Sequence, residues 1–543
     1  MISDRFWRRL SVRALVLAAG LAFAPWTHAA EPGDKVENIE ELNLEDLLGT
    51  VSAASRTEES ALTAPATVTV LDQDDIINSG ATTVPDLLRK VPGVQVLELA
   101  PGDYLVSLRG TGGVTGNNVV VLLDNIPLNS RVDGNVDWGG LPVDLSQIDR
   151  IEIVRGPVST IYGPDAYTGV IAITTQAASS DKVAATAHVA AGVDVTGKPI
   201  GVAAASVSGT RGKVSGRLNA SGRYDSTFSS TSGADQPAWA RGGADAHVQY
   251  DPTKDVTLSL DAMGNFDRRS GLDHLALQSL AQDTTTAFAQ ARLVIRDLPS
   301  VLDSLEVWER LRYFQTDAHG QLTGFSYNQL RSRDEETGFD LRFEFPYQLK
   351  IALGANAGVE EVEAPFIHPL ENAKLRGRYG FYINGNIELW KSLSASAAFR
   401  GDDSALLNGM HFAGRGSLVY HRNRWALRLT AGSAYRDPTY VEVAGRFIDP
   451  QSNLILLEGT PGLNAPQITA FELGAILLPH STVTVKPTVY VAELSNLMVE
   501  NFEPLVRKTF ANETASRWLL GAELEVAWKP RKELSLEGNV AAL

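Results

Sequence analysis

Cysteine is absent from all 543 residues. That absence excludes a disulfide framework, a thiolate metal site and a cysteine nucleophile. Positive charge is scarce as well: 48 Lys and Arg stand against 64 Asp and Glu, a formal net charge of −16. A surface that neutralises phosphates needs the opposite balance, so no nucleic-acid partner is expected. Beyond residue 30, no uninterrupted apolar run approaches the ~18 residues that a membrane-crossing helix requires. If the chain crosses a bilayer, it does so as a closed β-barrel, the other structure that satisfies every backbone group in lipid.

Signatures of catalysis are missing too. The nine histidines are scattered without H-E-x-x-H spacing, and no G-x-S-x-G elbow occurs. The chain is therefore not expected to be an enzyme, and no catalytic residues, metal ligands or cofactor are assigned. Gly110-Thr111-Gly112-Gly113-Val114-Thr115-Gly116 superficially matches a phosphate-binding glycine loop. Its third glycine comes one residue late for G-x-G-x-x-G and no helix follows, which favours a surface loop.

What is present begins with a secretory layout over residues 1–30. Arg5, Arg8, Arg9 and Arg13 precede an apolar run from Ala14 to Ala24, and Thr27-His28-Ala29-Ala30 supplies small residues for cleavage. Residues 31–48 are acidic, with Leu and Ile at near-helical spacing, and read as a solvated extension. The length exceeds a single ordinary core, so at least two structural units are expected.

From about residue 182 the hydrophobic period becomes two. Val214, Gly216, Leu218, Ala220, Gly222 and Tyr224 alternate with Ser215, Arg217, Asn219, Ser221, Arg223 and Asp225, and Phe339 to Phe345 and Tyr379 to Leu389 repeat the pattern. Each run matches the 9 to 11 or so residues of a tilted membrane strand, apolar toward lipid and polar toward the lumen. Tyr250, Trp390, Trp425 and Trp528 fall near strand ends, as in an aromatic girdle. Asp251 to Lys254 and Trp390 to Ser392 read as tight turns, whereas Asp267–Thr284 and Thr316–Glu336 read as long polar loops. A soluble β-sandwich also alternates, but would call for shorter, evenly distributed strands.

The most informative stretch is Ile148 to Ile173, IDRIEIVRGPVSTIYGPDAYTGVIAI. It reads as two strands joined by an ordered loop that carries Arg155. Ahead of it come Asp86-Leu87-Leu88 leading to Val91-Pro92-Gly93-Val94, then Leu108-Arg109-Gly110, then Leu123-Asp124-Asn125-Ile126-Pro127. Around these, Asp72 and Thr83 are placed to cap two short helices, and strands are predicted at 67–71, 94–99, 105–108 and 119–123. This order of motifs closely resembles the plug domain of TonB-dependent outer-membrane receptors. Asn125 stands where the family usually has Gly, although Asn also tolerates left-handed turn geometry. Further along, Ala431 to Thr439, Phe471-Glu472-Leu473-Gly474 and Gly521-Ala522-Glu523-Leu524-Glu525 resemble barrel segments of the same family.

The resemblance implies an α+β plug domain inside a predominantly antiparallel transmembrane β-barrel. Its units would be a signal peptide (1–30), a periplasmic extension (31–60), the plug (61–176) and the barrel (182–543). Thr50, Val51, Ser52 and Ala53 would form the TonB-box-like segment, which the periplasmic energy-coupling protein TonB takes up by strand addition. Arg109 and Arg155 of the plug would meet Glu472 and Glu523 of the wall. The implied function is energised uptake of a scarce ligand by a monomer seated in outer-membrane lipid of a Gram-negative bacterium. Siderophore-iron complexes come first, with cobalamin, other metal chelates and oligosaccharides as further classes and no ligand-contacting residues assigned. A passive porin and a binding-only surface receptor are the rival readings. The barrel segment provides for about 15 to 18 strands against about 22 in plugged transporters, so a chain lacking C-terminal strands is expected.

Overall fold

The computed structural model describes residues 50–53, 59–100, 102–112, 118–179, 182–193, 197–226, 238–273, 278–320, 326–364, 367, 375–404, 406, 409–448, 455–503, 507–531 and 534–543. The secretory segment, most of the acidic extension and the second half of the glycine-rich stretch lie outside them.

The first unit begins with a two-residue pair, β1 (Thr50–Val51) against β2 (Glu59–Ser60). Strand β3 (Thr67–Leu71) leads into helix α1 (Gln73–Ile77), whose N-cap Asp72 accepts from Asp75 N at 2.8 Å while Asp75 reaches back to Asp72 N. Thr83 caps α2 (Val84–Leu88) by accepting from Asp86 N at 3.2 Å, with Pro85 in the first turn, where its missing N–H costs nothing. A hairpin of β4 (Val94–Ala100) and β5 (Asp103–Leu108) follows, then β6 (Val119–Leu123) and β7 (Ile126–Pro127). Asp124 and Asn125 between β6 and β7 both have positive φ, 46° and 69°, the geometry of a tight two-residue hairpin turn. A capped single turn at Leu145–Gln147 introduces β8 (Ile148–Arg155), and β9 (Gly169–Thr175) closes the unit.

Strands β3, β8, β9, β6 and β7 form one mixed sheet in that order, with β6 and β9 parallel. One face, through Ile151, Ile153, Ile171, Ile173, Val121 and Leu123, packs under α1 and α2. The other, through Val120, Leu122, Val154 and Val170, is covered by Val51, Ala53, Ala64 and Ala66 of the leading segment. The link between β8 and β9 contains a further short helix, α3 (Ser159–Tyr162), where the sequence suggests only a loop. Its N-cap Val158 makes no side-chain cap bond, so no local signal announces it.

Seventeen antiparallel strands make the wall: in chain order from β10 (Ala184–Val193) to β22 (Trp425–Tyr435), then β25 (Gln467–His480), β26 (Val483–Ser495), β29 (Arg517–Arg531) and β30 (Leu534–Ala542). Among the described residues the first and last of these are not paired with each other. The polarity of the wall is inverted relative to a soluble sheet. Arg217, Asn219, Ser221, Arg223 and Asp225 are buried, while Val214, Leu218 and Tyr224 of the same strand are exposed. Phe471 and Leu473 likewise point outward and Glu472 inward. Tyr250, Trp390, Trp425 and Trp528 all lie on the exposed face. A wall that exposes its hydrocarbon and buries its charges is built for lipid outside and polar contents inside.

Those contents are the first unit. Gln147 reaches Ala205 O and Ala220 O, Arg269 reaches Gly102 O, Arg312 reaches Pro127 O, Arg428 reaches Ala64 O and Tyr167 reaches Gln467 O. Partners spread over strands from one end of the sheet to the other mean that the sheet wraps around the plug.

The stretches Asp267–Thr284 and Thr316–Glu336, expected as long loops, are mostly strand. They belong to β14 (Val256–Asp273), β15 (Gln278–Arg296), β16 (Leu302–Gly320) and β17 (Ser326–Phe345). Backbone pairing continues past the strictly alternating apolar stretches, so period-two hydrophobicity does not mark these extensions. Over the same rim sits a cap made of α4 (Tyr440–Ala444) and a four-stranded sheet of β23 (Arg446–Ile448), β24 (Ile455–Glu458), β28 (Arg507–Asn512) and β27 (Met498–Glu503). Its core of Tyr440, Val441, Phe447, Leu457 and Phe510 also takes in Val132 of the plug, and Val441 N donates to Val132 O at 3.1 Å.

Leu429, outward-facing in β22, tests the lipid-facing assignment. Leu429→Arg is expected to lower folding stability by about 2–4 kcal/mol in urea titrations from lipid vesicles, whereas Leu429→Ile should be nearly neutral. Equal effects of the two would remove Leu429 from the lipid face.

Candidate functional site

The structure brings Arg109, Arg155, Glu472 and Glu523 together in one buried cluster. Arg109 lies at the end of β5, and its Nη2 meets Glu472 Oε2 at 2.8 Å while its Nε donates to Glu523 Oε1 at 2.8 Å. Its guanidinium also lies 3.8 Å from the centre of the Tyr490 ring. Arg155, at the end of β8, donates from Nη1 to Glu523 Oε2 at 2.9 Å and to Pro92 O at 3.0 Å, and from Nη2 to Thr69 Oγ1 at 2.7 Å. A third carboxylate, Glu525, pairs with Arg155 and accepts from Thr69 Oγ1 at 2.7 Å, and Thr67 donates to Glu472. Glu525 is two residues from Glu523 on one strand and so shares its lumenal face, a relation that period two alone reveals.

Local backbone geometry serves the cluster. Arg109 itself has φ of +52°, and its N–H donates to Gly93 O at 2.6 Å. Gly93 has φ of +75°, and a Cβ there would stand 2.6 Å from Glu523 Oε1, so conformation and space both demand glycine. Burial alone would lower the Arg109 pKa, but Glu472 and Glu523 outweigh it and hold the guanidinium charged.

Thr50 to Ala53 lie at the opposite face of the plug sheet. Val51 and Ala53 are buried in its apolar cluster. Ser52 N and Ala53 N both donate to Glu152 Oε2 at 2.8 Å, and Glu152 Oε1 accepts from Arg150 Nε at 2.9 Å. Glu152 is 1% exposed, and no local sequence signal marks it, since its partners lie about a hundred residues earlier.

A second polar network joins plug, wall and cap. Arg131 faces Asp165 at 3.5 Å and Glu360 at 3.8 Å, Arg436 holds Glu442 through two bonds of 2.9 Å, and Tyr440 donates to Glu360 at 3.0 Å. Burial raises the Asp165 pKa despite the arginines around it. It raises that of Asp437 further, helped by the charges of Asp165 and Asp402. A cavity of about 1470 Å³ separates Asn125, Arg150, Tyr162 and Ala172 of the plug from Gln290 and Asp340 of the wall. It extends to Ser52 and Ala53 and to the short turn at Asp251–Lys254. Among the described residues, no group of three or more His, Asp or Glu is arranged to hold a metal ion.

Asp437 gives a pH prediction. A carboxyl with a raised folded-state pKa binds more protons folded than unfolded, so its contribution to stability is lost as pH rises above the ordinary carboxylate value of about 4. Asp437→Asn should lack that loss, giving a melting temperature that falls less between pH 4 and 8 than in the unsubstituted protein. Parallel pH profiles would rule out a raised Asp437.

The plug-domain model of TonB-dependent receptors matches residues 60–170, and the model of the TonB-dependent receptor-like β-barrel matches residues 201–542. The vitamin B12 transporter BtuB of Vibrio cholerae is 35% identical over 176 residues, which are 32% of this chain and 26% of that protein. The match thus spans about a quarter of that relative's length. The siderophore receptor PirA of Acinetobacter baumannii shares the fold with a TM-score of 0.71 at 16% identity, over 87% of this chain and 79% of its own. The ferric enterobactin receptor PfeA of Pseudomonas aeruginosa, crystallised as a mutant with enterobactin, gives 0.72 at 15% identity, over 88% and 80%. With a folded plug wrapped by an inverted-polarity sheet and both segments matched by their own models, the chain belongs to the TonB-dependent receptor family.

Proposed function

We propose that the protein takes up a scarce ligand across the outer membrane of a Gram-negative bacterium, driven by the periplasmic partner TonB acting on Thr50–Ala53. The observation that carries this reading is a plug held in the lumen by a desolvated contact of paired charges. Two buried arginines facing three glutamates set the register of the plug against the wall. Paired, such charges add little net stability, whereas removing one partner strands the others at a cost of about 3–5 kcal/mol. The contact is therefore specific and can be exchanged between two seated states, as a gate requires.

The short-turn rim, where the large cavity opens beside Ser52 and Ala53, is assigned to the periplasm, and the capped rim to the outside. The ligand is assigned to the metal-chelate classes in the names of the relatives, a siderophore-iron complex first and cobalamin second. The receptor works as a monomer in lipid, and no enzymatic step is involved. A passive porin fits poorly, because a folded unit occupies the lumen.

Uptake of ferric siderophores and of cobalamin by a strain lacking the gene, with and without the restored gene and with TonB intact or deleted, tests this. TonB-dependent uptake of one of them is expected. Steady large conductance in planar bilayers would mean a porin, and binding without uptake a surface receptor only. For the cluster, Arg155→Ala and Glu523→Ala should each loosen the plug in urea titrations by about 3–5 kcal/mol. Together they should fall short of the sum by roughly 0.5–3 kcal/mol. Additive losses would show that the charges do not act as a unit.

A further inference from the structure

We propose that Glu152 is a clamp that occupies the backbone donors of the TonB-box-like segment and so keeps that segment out of its partner's reach until the plug rearranges. This rests on the reading of Thr50–Ala53 as the docking segment. The same carboxylate oxygen, Glu152 Oε2, accepts from both Ser52 N and Ala53 N at 2.8 Å, and Oε1 lies 3.4 Å from Ser52 Oγ.

Two consecutive N–H groups converging on one oxygen form an anion-holding concavity, not a strand, in which successive N–H groups point to opposite sides. A partner that recruits this segment by strand addition needs those donors extended and facing its own carbonyls. Clamp and partner therefore compete for the same hydrogen bonds. The chain just before is committed as well, since Thr50 and Val51 are paired with Ser60 and Glu59 and Val51 is buried.

Glu152 is well placed to sense the plug. It lies at the middle of β8, opposite Val70 on one side and Ala172 on the other, three residues before Arg155. A shift of β8 that disturbs Arg155 at the wall moves the clamp with it, because both residues belong to one strand. Arg150, on the other side of Glu152 in sequence, steadies Oε1 at 2.9 Å.

The absence of native cysteine makes the test clean. Val51→Cys places one buried thiol on the segment, and Ala166→Cys places one in the same apolar cluster but on the plug body. The purified full chain in detergent is treated with a bulky maleimide, with and without Glu152→Gln. The expected result is a rise of tenfold or more in labelling at position 51, with position 166 still protected. Ser52→Pro, which deletes one donor and leaves Glu152 intact, should release the segment from the other side and serves if Glu152→Gln does not fold. Unchanged labelling at 51, or equal exposure at 51 and 166, overturns the clamp, the second because it shows that Glu152 merely holds the plug together. The isolated periplasmic domain of TonB should also bind the Glu152→Gln protein at least tenfold more tightly. A freed segment that TonB ignores would leave the clamp standing and sink the docking assignment beneath it.

Discussion

Hydrocarbon offers a backbone no hydrogen-bond partners, and this constraint organises the molecule. No helix among the described residues is long and apolar enough to cross a membrane, so these residues can cross lipid only by pairing each strand with its neighbour, and a paired sheet with lipid outside must put its polar side chains inside. The lumen is consequently lined with charges such as Arg217, Asp245, Arg400, Asp402, Glu472 and Glu523, all buried. These need partners, and a plug rich in exposed carbonyls, carboxylates and guanidiniums supplies them. Wall and plug are chemically incomplete without each other.

Two kinds of cohesion follow, and they separate what stays together from what can part. Inside the plug, Leu87, Leu88, Leu108, Ile151 and Ile153 form an apolar core that is lost only by unfolding. Between plug and wall, beside small apolar contacts such as Leu62 against Ile476, run directional polar ones, from Gln147 on one side to Tyr167 on the other. Such bonds can be traded for water or for one another at modest net cost, so the plug can shift as a body while its interior survives. The cavity of about 1470 Å³ lies along one flank of this interface, away from the arginine cluster. The seal is thus uneven around the circumference.

How much of this could be read from residues alone depended on how local the signal was. The caps at Asp72 and Thr83 and the turn at Asp124-Asn125 are encoded within four residues and are legible directly. The wall strands are legible wherever lipid imposes alternation, and cease to be where β14 to β17 rise beyond it. Helix α3 lacks a capping side chain, so tertiary packing decides it. The charge cluster joins residues 368 and 414 positions apart, and no pattern in the chain links them. Only family resemblance places Arg109, Arg155, Glu472 and Glu523 side by side. Glu152 looks like any polar residue in a strand, because its meaning lies in backbone groups of a distant segment.

The burial of Val132 inside the cap makes that end of the plug part of a core that belongs to the capped rim. If a ligand entering that mouth and a partner grasping the leading segment both shift this shared core, thermodynamic linkage makes the coupling between them reciprocal. A molecule caught outside and a pull exerted inside would be two hands on one lever.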